Sequence, residues 1–126
     1  MRRLVLMALL ATGVARAQPA GPPASQQPEA WQPRNTAELS VLDKVRAQPS
    51  PLTVRVGQTV PWGSLSITVR GCVTRPPNLP QDSAAFLDVT DSRSTGAEFH
   101  GWMLASAPAL SQMEHPIYDL RVTSCH

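Results

Sequence analysis

The chain has 126 residues, 11 of them Lys or Arg and 9 Asp or Glu, with 13 prolines and only 16% charged residues. That length allows one domain and no more. The formal charge is +2 and the cations beyond residue 17 are scattered singly, so there is no clustered positive face of the kind a nucleic-acid binder uses to release counterions, and no nucleic-acid partner is expected.

Reading from the start, Arg2 and Arg3 supply a positive n-region and Leu4 to Val14 an apolar run. Ala15-Arg16-Ala17 then gives a small-x-small cleavage pattern. Residues 1–17 therefore read as a Sec-type signal peptide cut after Ala17, leaving Gln18 as the first mature residue of a periplasmic or secreted protein. The apolar run is well short of the roughly 20 residues a spanning helix needs, so no membrane span is expected after signal removal. Cleavage also removes Arg2, Arg3 and Arg16, which takes 11 basic residues to 8 against 9 acidic and leaves a formal charge of −1. The basic character of the precursor belongs to its signal.

Residues 18–36 (QPAGPPASQQPEAWQPRNT) are rich in Pro, Gln and Ala, with Trp31 the only large apolar group. Such a stretch buries too little surface to offset its ordering entropy and reads as a disordered, Pro-rich spacer. Residues 37–126 read as a single β domain. Leu39 to Arg46 fits a helical stripe or a first strand equally well, and Gln48 to Pro51 (QPSP) is expected to break whatever precedes it. Leu52 to Val56 and Leu65 to Arg70 alternate apolar and polar residues as half-buried strands do. Ala85 to Val89 and Phe99 to Ala105 read as more fully buried strands, and Tyr118 to Val122 alternates again. Pro61, Pro76, Pro77, Pro80 and Pro116 fall at strand ends, where a missing donor costs no ladder bond. Pro108 to Met113 has the form of a short helical turn. Short strands separated by Gly and Pro predict an all-β fold, a small antiparallel barrel or sandwich.

The cysteines are Cys72 and Cys125, and an even count in an exported chain predicts a disulfide. Counting alternately, both lie on outward faces, which predicts a bridge between adjacent strands of one sheet. Leu65, Ile67 and Val69 would then share the buried face with Tyr118, Leu120 and Val122. A β-bulge at Gly71 is the one feature that would turn Cys72 inward.

Nothing in the chain commits to catalysis. Gly63-Ser64 and Ala105-Ser106 lack a nucleophile-turn pattern, Asp88 and Asp91 read as turn formers at a strand end, and Thr90 to Gly96 reads as a hairpin loop. His100, His115, His126 and the cysteines show no metal-ligand spacing, so neither metal nor cofactor is expected. Trp62 and Trp102, each beside a glycine, offer a platform for a ligand or partner, although core packing is the more frequent fate of a Trp. With His100, Glu114 and His115 they form the candidate ligand or partner surface. His115 precedes Pro116, so a helix cannot run through it, and it is expected to be partly exposed where the last strand begins.

Several stretches together resemble one family: Leu42-Asp43-Lys44, VGQTVPWGSLSITVRGC at Val56 to Cys72, the RPP at Arg75 to Pro77, the AAFLDV from Ala84, GWMLASAPALSQMEHPIYDLRV at Gly101 to Val122, and Cys125. The chain is similar over about Leu39 to Cys125 to domain of unknown function 2155, exported alphaproteobacterial proteins with no established activity. The resemblance implies signal peptides and a paired cysteine, and carries over no functional residue. Two functions remain open to the sequence. One is a non-catalytic binding, scaffold or accessory module of the cell envelope, whose partner is a protein or another envelope component. The alternative is a ligand-binding or enzymatic domain with a pocket around His100, Trp102, Glu114 and His115. The oligomeric state is open too.

Overall fold

Alternation decides the ambiguous first segment. Ala37, Leu39 and Val41 are buried while the residues between them are only partly so, a period of two that makes this stretch a strand. The computed structural model describes residues 13–17, 30–94 and 97–126. Most of the signal peptide (1–12), most of the spacer (18–29) and part of the Thr90–Gly96 hairpin loop (95–96) lie outside the described residues.

In chain order the strands are β1 (Gln32–Pro33), β2 (Thr36–Asp43), β3 (Gln48–Arg55), β4 (Thr59–Trp62), β5 (Leu65–Thr74), β6 (Ser83–Asp91), β7 (Ala97–Leu104) and β8 (Tyr118–Cys125). One sheet has the order β1-β5-β6-β7, with β4 also pairing β5, and the other has the order β3-β2-β8. All pairings are antiparallel. The sheets face each other without closing into a barrel, which resolves the sequence alternatives in favour of a sandwich. Leu39, Val41, Val54, Leu120 and Val122 of one sheet meet Leu65, Ile67, Val69, Leu87 and Val89 of the other. Each such side chain contributes roughly 1.5–3 kcal/mol by leaving water. Between β7 and β8 the chain makes a 3-10 turn at Pro108–Leu110, as its proline suggests, and then buries Met113 in the core.

Two sequence expectations fail in instructive ways. The residues read as a break, Gln48 to Pro51, instead begin β3. The Val56 amide donates to the Asn35 carbonyl at 2.8 Å, and counting along the ladder from that pair puts residues 49 and 51 on the open side of β3. A proline there removes a donor that β2 never uses, so this edge strand tolerates both. The stretch read as spacer likewise ends in structure, because Gln32 and Pro33 pair with Thr74 and Val73 as β1. Trp31 lies 5.5 Å from the Arg75 guanidinium, a cation–π contact that holds the chain beside β5.

The disulfide forms, but not within one sheet. Cys72 on β5 and Cys125 on β8 join the two facing sheets, with Cα atoms 5.8 Å apart. The parity count fails twice. In β5 the register jumps from Val69↔Leu87 to Gly71↔Phe86, leaving Arg70 unpaired. In β8 it jumps from Leu39↔Val122 to Glu38↔Ser124, leaving Thr123 without a partner. Each bulge inserts one residue and switches every later side chain to the other face. Both cysteines therefore point into the core, where both are buried.

Candidate functional site

The β5 bulge also shapes the outer face of the larger sheet. Arg70, the extra residue, turns its side chain outward toward Asp88, and Gly71 follows as a gap. Across β6 and β7, Phe86 pairs with Trp102 and Asp88 with His100. Two short rows result. Gly71, Phe86 and Trp102 form an aromatic row, and Arg70, Asp88 and His100 a polar one.

The aromatic row is ordered by its own rings. Phe86 stands edge-on to both neighbours, with centroids 5.0 Å from His100 and 5.4 Å from Trp102 and planes close to perpendicular. A side chain at Gly71 would begin 3.4 Å from the Trp102 ring, so the missing Cβ lets the indole lie across β6. Trp102 remains 48% exposed, among the largest apolar groups left in solvent.

Asp88 organises the polar row. Its Oδ2 accepts from Arg70 Nε at 2.6 Å and its Oδ1 from His100 Nδ1. The Arg70 guanidinium, then the His100 ring, hold the Asp88 carboxyl below its ordinary range. The ion pair is exposed and adds little stability. Its effect is positional, since it orients Arg70 and His100 while leaving the outer nitrogens of both toward solvent.

His115 lies elsewhere. It was expected to be partly exposed and is only 6% exposed. Its Nε2 donates to Asp91 Oδ2 at 2.7 Å, and its Nδ1 accepts from the amides of Ile117 and Tyr118 at 3.0 and 3.1 Å. Two amides pointing at Nδ1 require that nitrogen to be bare, which assigns the proton to Nε2. Proline at 116 does keep helix out of this stretch, but it does not expose the histidine. The ring bonds draw it inward to pin the loop onto the end of β6. Lys44 Nζ completes the pin by donating to the His115 carbonyl at 2.6 Å. With both ring nitrogens engaged, His115 is a structural residue.

The candidate surface residues thus divide among three places. His100 and Trp102 share the outer face. Glu114 is exposed in a shallow depression with Lys44, Gln112 and Asp119, above the buried His115. Trp62 is half-buried and packs against the core at the end of β4. The four-residue pocket of His100, Trp102, Glu114 and His115 does not assemble, because a sheet separates its two halves: Asp88, which holds His100, faces out of β6, and Asp91, which holds His115, faces in. Among the described residues no group of three or more His, Cys, Asp or Glu is placed to hold a metal. No described helix is long and apolar enough to cross a membrane, which says nothing of spanning by strands. Sequence reasoning missed Phe86, Asp88 and Arg70. Alternation along β6 does mark the first two as outward, but only the bulge brings Arg70 to them.

The family described as an uncharacterized protein conserved in bacteria (DUF2155) matches residues 37–125, from the start of β2 to the bridging Cys125. The chain belongs to this family. It is also similar to an uncharacterized protein of Rickettsia prowazekii (strain Madrid E), 25% identical over 91 residues. That match covers 70% of this chain and 59% of the Rickettsia protein, so the chain spans little more than half the length of that relative. No solved structure matches.

Proposed function

We propose that this member of the family is an exported, non-catalytic binding module of the cell envelope, and that its contact surface is the outer face of the sheet around Trp102. The observation that carries the reading is the half-exposed indole beside Phe86, flanked by Arg70 and His100 already held in place by Asp88. Trp and Arg are the residues most often found as energetic anchors of protein interfaces, and groups fixed before contact lose less entropy on binding. The reading therefore commits to a protein partner. Export is supported by the signal-like residues 1–17 and by the Cys72–Cys125 bridge, which persists in oxidising compartments.

Two measurements test the two parts. Intact-mass analysis of the fractionated protein should give a chain beginning at Gln18 in the envelope fraction, and a cytoplasmic chain retaining Met1 to Ala17 would end the export reading. For binding, Trp102→Ala and Arg70→Ala should each abolish in-cell cross-linking to a common partner, while Arg121→Ala on the opposite sheet leaves it intact. Equal behaviour of all three variants would remove the outer face as the contact surface.

A further inference from the structure

We propose that β7 is an interface strand whose occupant is β7 of a second copy of this chain, paired antiparallel about a two-fold axis at Gly101. The argument starts from the backbone. The Ala105 amide donates to the Ser83 carbonyl at 2.8 Å, and counting from that pair sends the amides of Phe99, Gly101 and Met103 toward β6. His100, Trp102 and Leu104 then turn theirs to the open side, the count stopping at Glu98, which the register shift between Val89 and Thr90 leaves as an inserted residue. Among the described residues β7 pairs with β6 alone. Donors and acceptors in such a row must be met by water or by another strand.

The sequence treats β7 differently from the strands at the other sheet edges. On β3 the open side is closed to pairing by Pro49 and Pro51, which remove donors at successive outward positions. Strand β7, AEFHGWML, has no proline, lysine or arginine, and every outward donor is intact. Strands β1 and β4 each carry a proline, and β8, the other edge of the smaller sheet, keeps its donors but carries Arg121, so among the described edge strands β7 is the one with neither proline nor cation.

A second copy fits it because the outward positions His100 and Trp102 are symmetric about Gly101. An antiparallel pairing centred there uses the outward groups of His100 and Trp102 in both copies. It sets His100 opposite Trp102 of the second copy, and Trp102 opposite His100 of that copy. Gly101 faces its own equivalent at a non-hydrogen-bonded position, where the strands approach most closely and a missing side chain is an advantage. The aromatic rows of the two copies join into one band, and part of each exposed indole is covered. The inference concerns the strand edge and stands whether or not the outer face takes a further partner.

Sedimentation velocity of the disulfide-bonded mature chain over a wide concentration range tests it. A reversible dimer is expected. His100→Pro, which imitates the blocked edge of β3, and Trp102→Lys, which keeps the donor but places a charge on the edge, should each weaken it by at least about tenfold. Far-ultraviolet circular dichroism checks that each variant is folded, and the lysine variant carries the test if the proline variant is not. Gly101→Cys should link two copies covalently on oxidation, since facing positions of this kind suit a disulfide. A protein that stays monomeric at every concentration overturns the proposal. So does a dimer that both edge variants leave intact, or one that Gly101→Cys fails to link.

Discussion

His115 and Asp91 show how much of a residue's role depends on what reaches it from elsewhere in the chain. The imidazole ties the loop after the 3-10 turn to the end of β6 through Asp91 Oδ2 and the amides of Ile117 and Tyr118. His115→Ala removes these bonds at a buried site and leaves polar groups unpaired, so it should cost about 2–4 kcal/mol, read from urea denaturation. Asp91 predicts an acid sensitivity. The His115 ring, followed by the Arg93 amide, pushes the Asp91 carboxyl down to about 2. Since the folded state favours the charged form, its contribution is complete above the ordinary carboxylate range. It is lost as pH falls from about 4 toward 2. Denaturation midpoints measured across that window should fall, and Asp91→Asn should flatten this part of the profile while lowering stability at neutral pH.

At the scale of elements, the β4–β5 hairpin depends on Gly63. Its φ is +55°, a conformation that side chains rarely adopt, and a Cβ there would collide with the Tyr118 hydroxyl of β8. Gly63→Ala should therefore destabilise the domain by about 1–3 kcal/mol, measured by thermal unfolding, with the fold retained. The edges make a second prediction. Replacing Pro49 and Pro51 of β3 by Thr restores outward donors to an edge that lacks them, and the variant should self-associate more than the parent in light scattering at equal concentration. Alternation made β5 and β8 legible in the sequence, because one face of each is core. Strands β1 and β4 were not legible. Each is too short to show a period, and exists because β5 offers it a ladder.

For the whole molecule, the bridge between the sheets supplies a large share of the stability. Cys72 and Cys125 are 53 residues apart, and closing that loop removes unfolded-state entropy equivalent to about 4 kcal/mol. Domains of this size are stable by only about 5–15 kcal/mol, so the reduced protein should be marginal. The double variant Cys72→Ser/Cys125→Ser should lose about that much unfolding free energy in denaturant titration, matching the wild type under reductant. An effect well below about 1 kcal/mol would mean that sheet packing alone holds the sandwich.

Local pattern was sufficient for the all-β class, the bridged cysteine pair, the short turn at Pro108 and the absence of helix through His115. Each follows from side-chain periodicity, cysteine number or the restricted backbone of proline. Which side chains meet was decided by the tertiary structure. A single inserted residue at Arg70 and another at Thr123 reversed the cysteines from surface to core, and no count along one strand detects an insertion that is defined only against its neighbour. The same holds for the outer face. Trp62 and Trp102 both stand beside glycine in the sequence, yet the first packs on the core and the second lies in solvent. The distinction is register, because a strand's alternation says that two faces exist, and only the partner sheet determines which of them is buried.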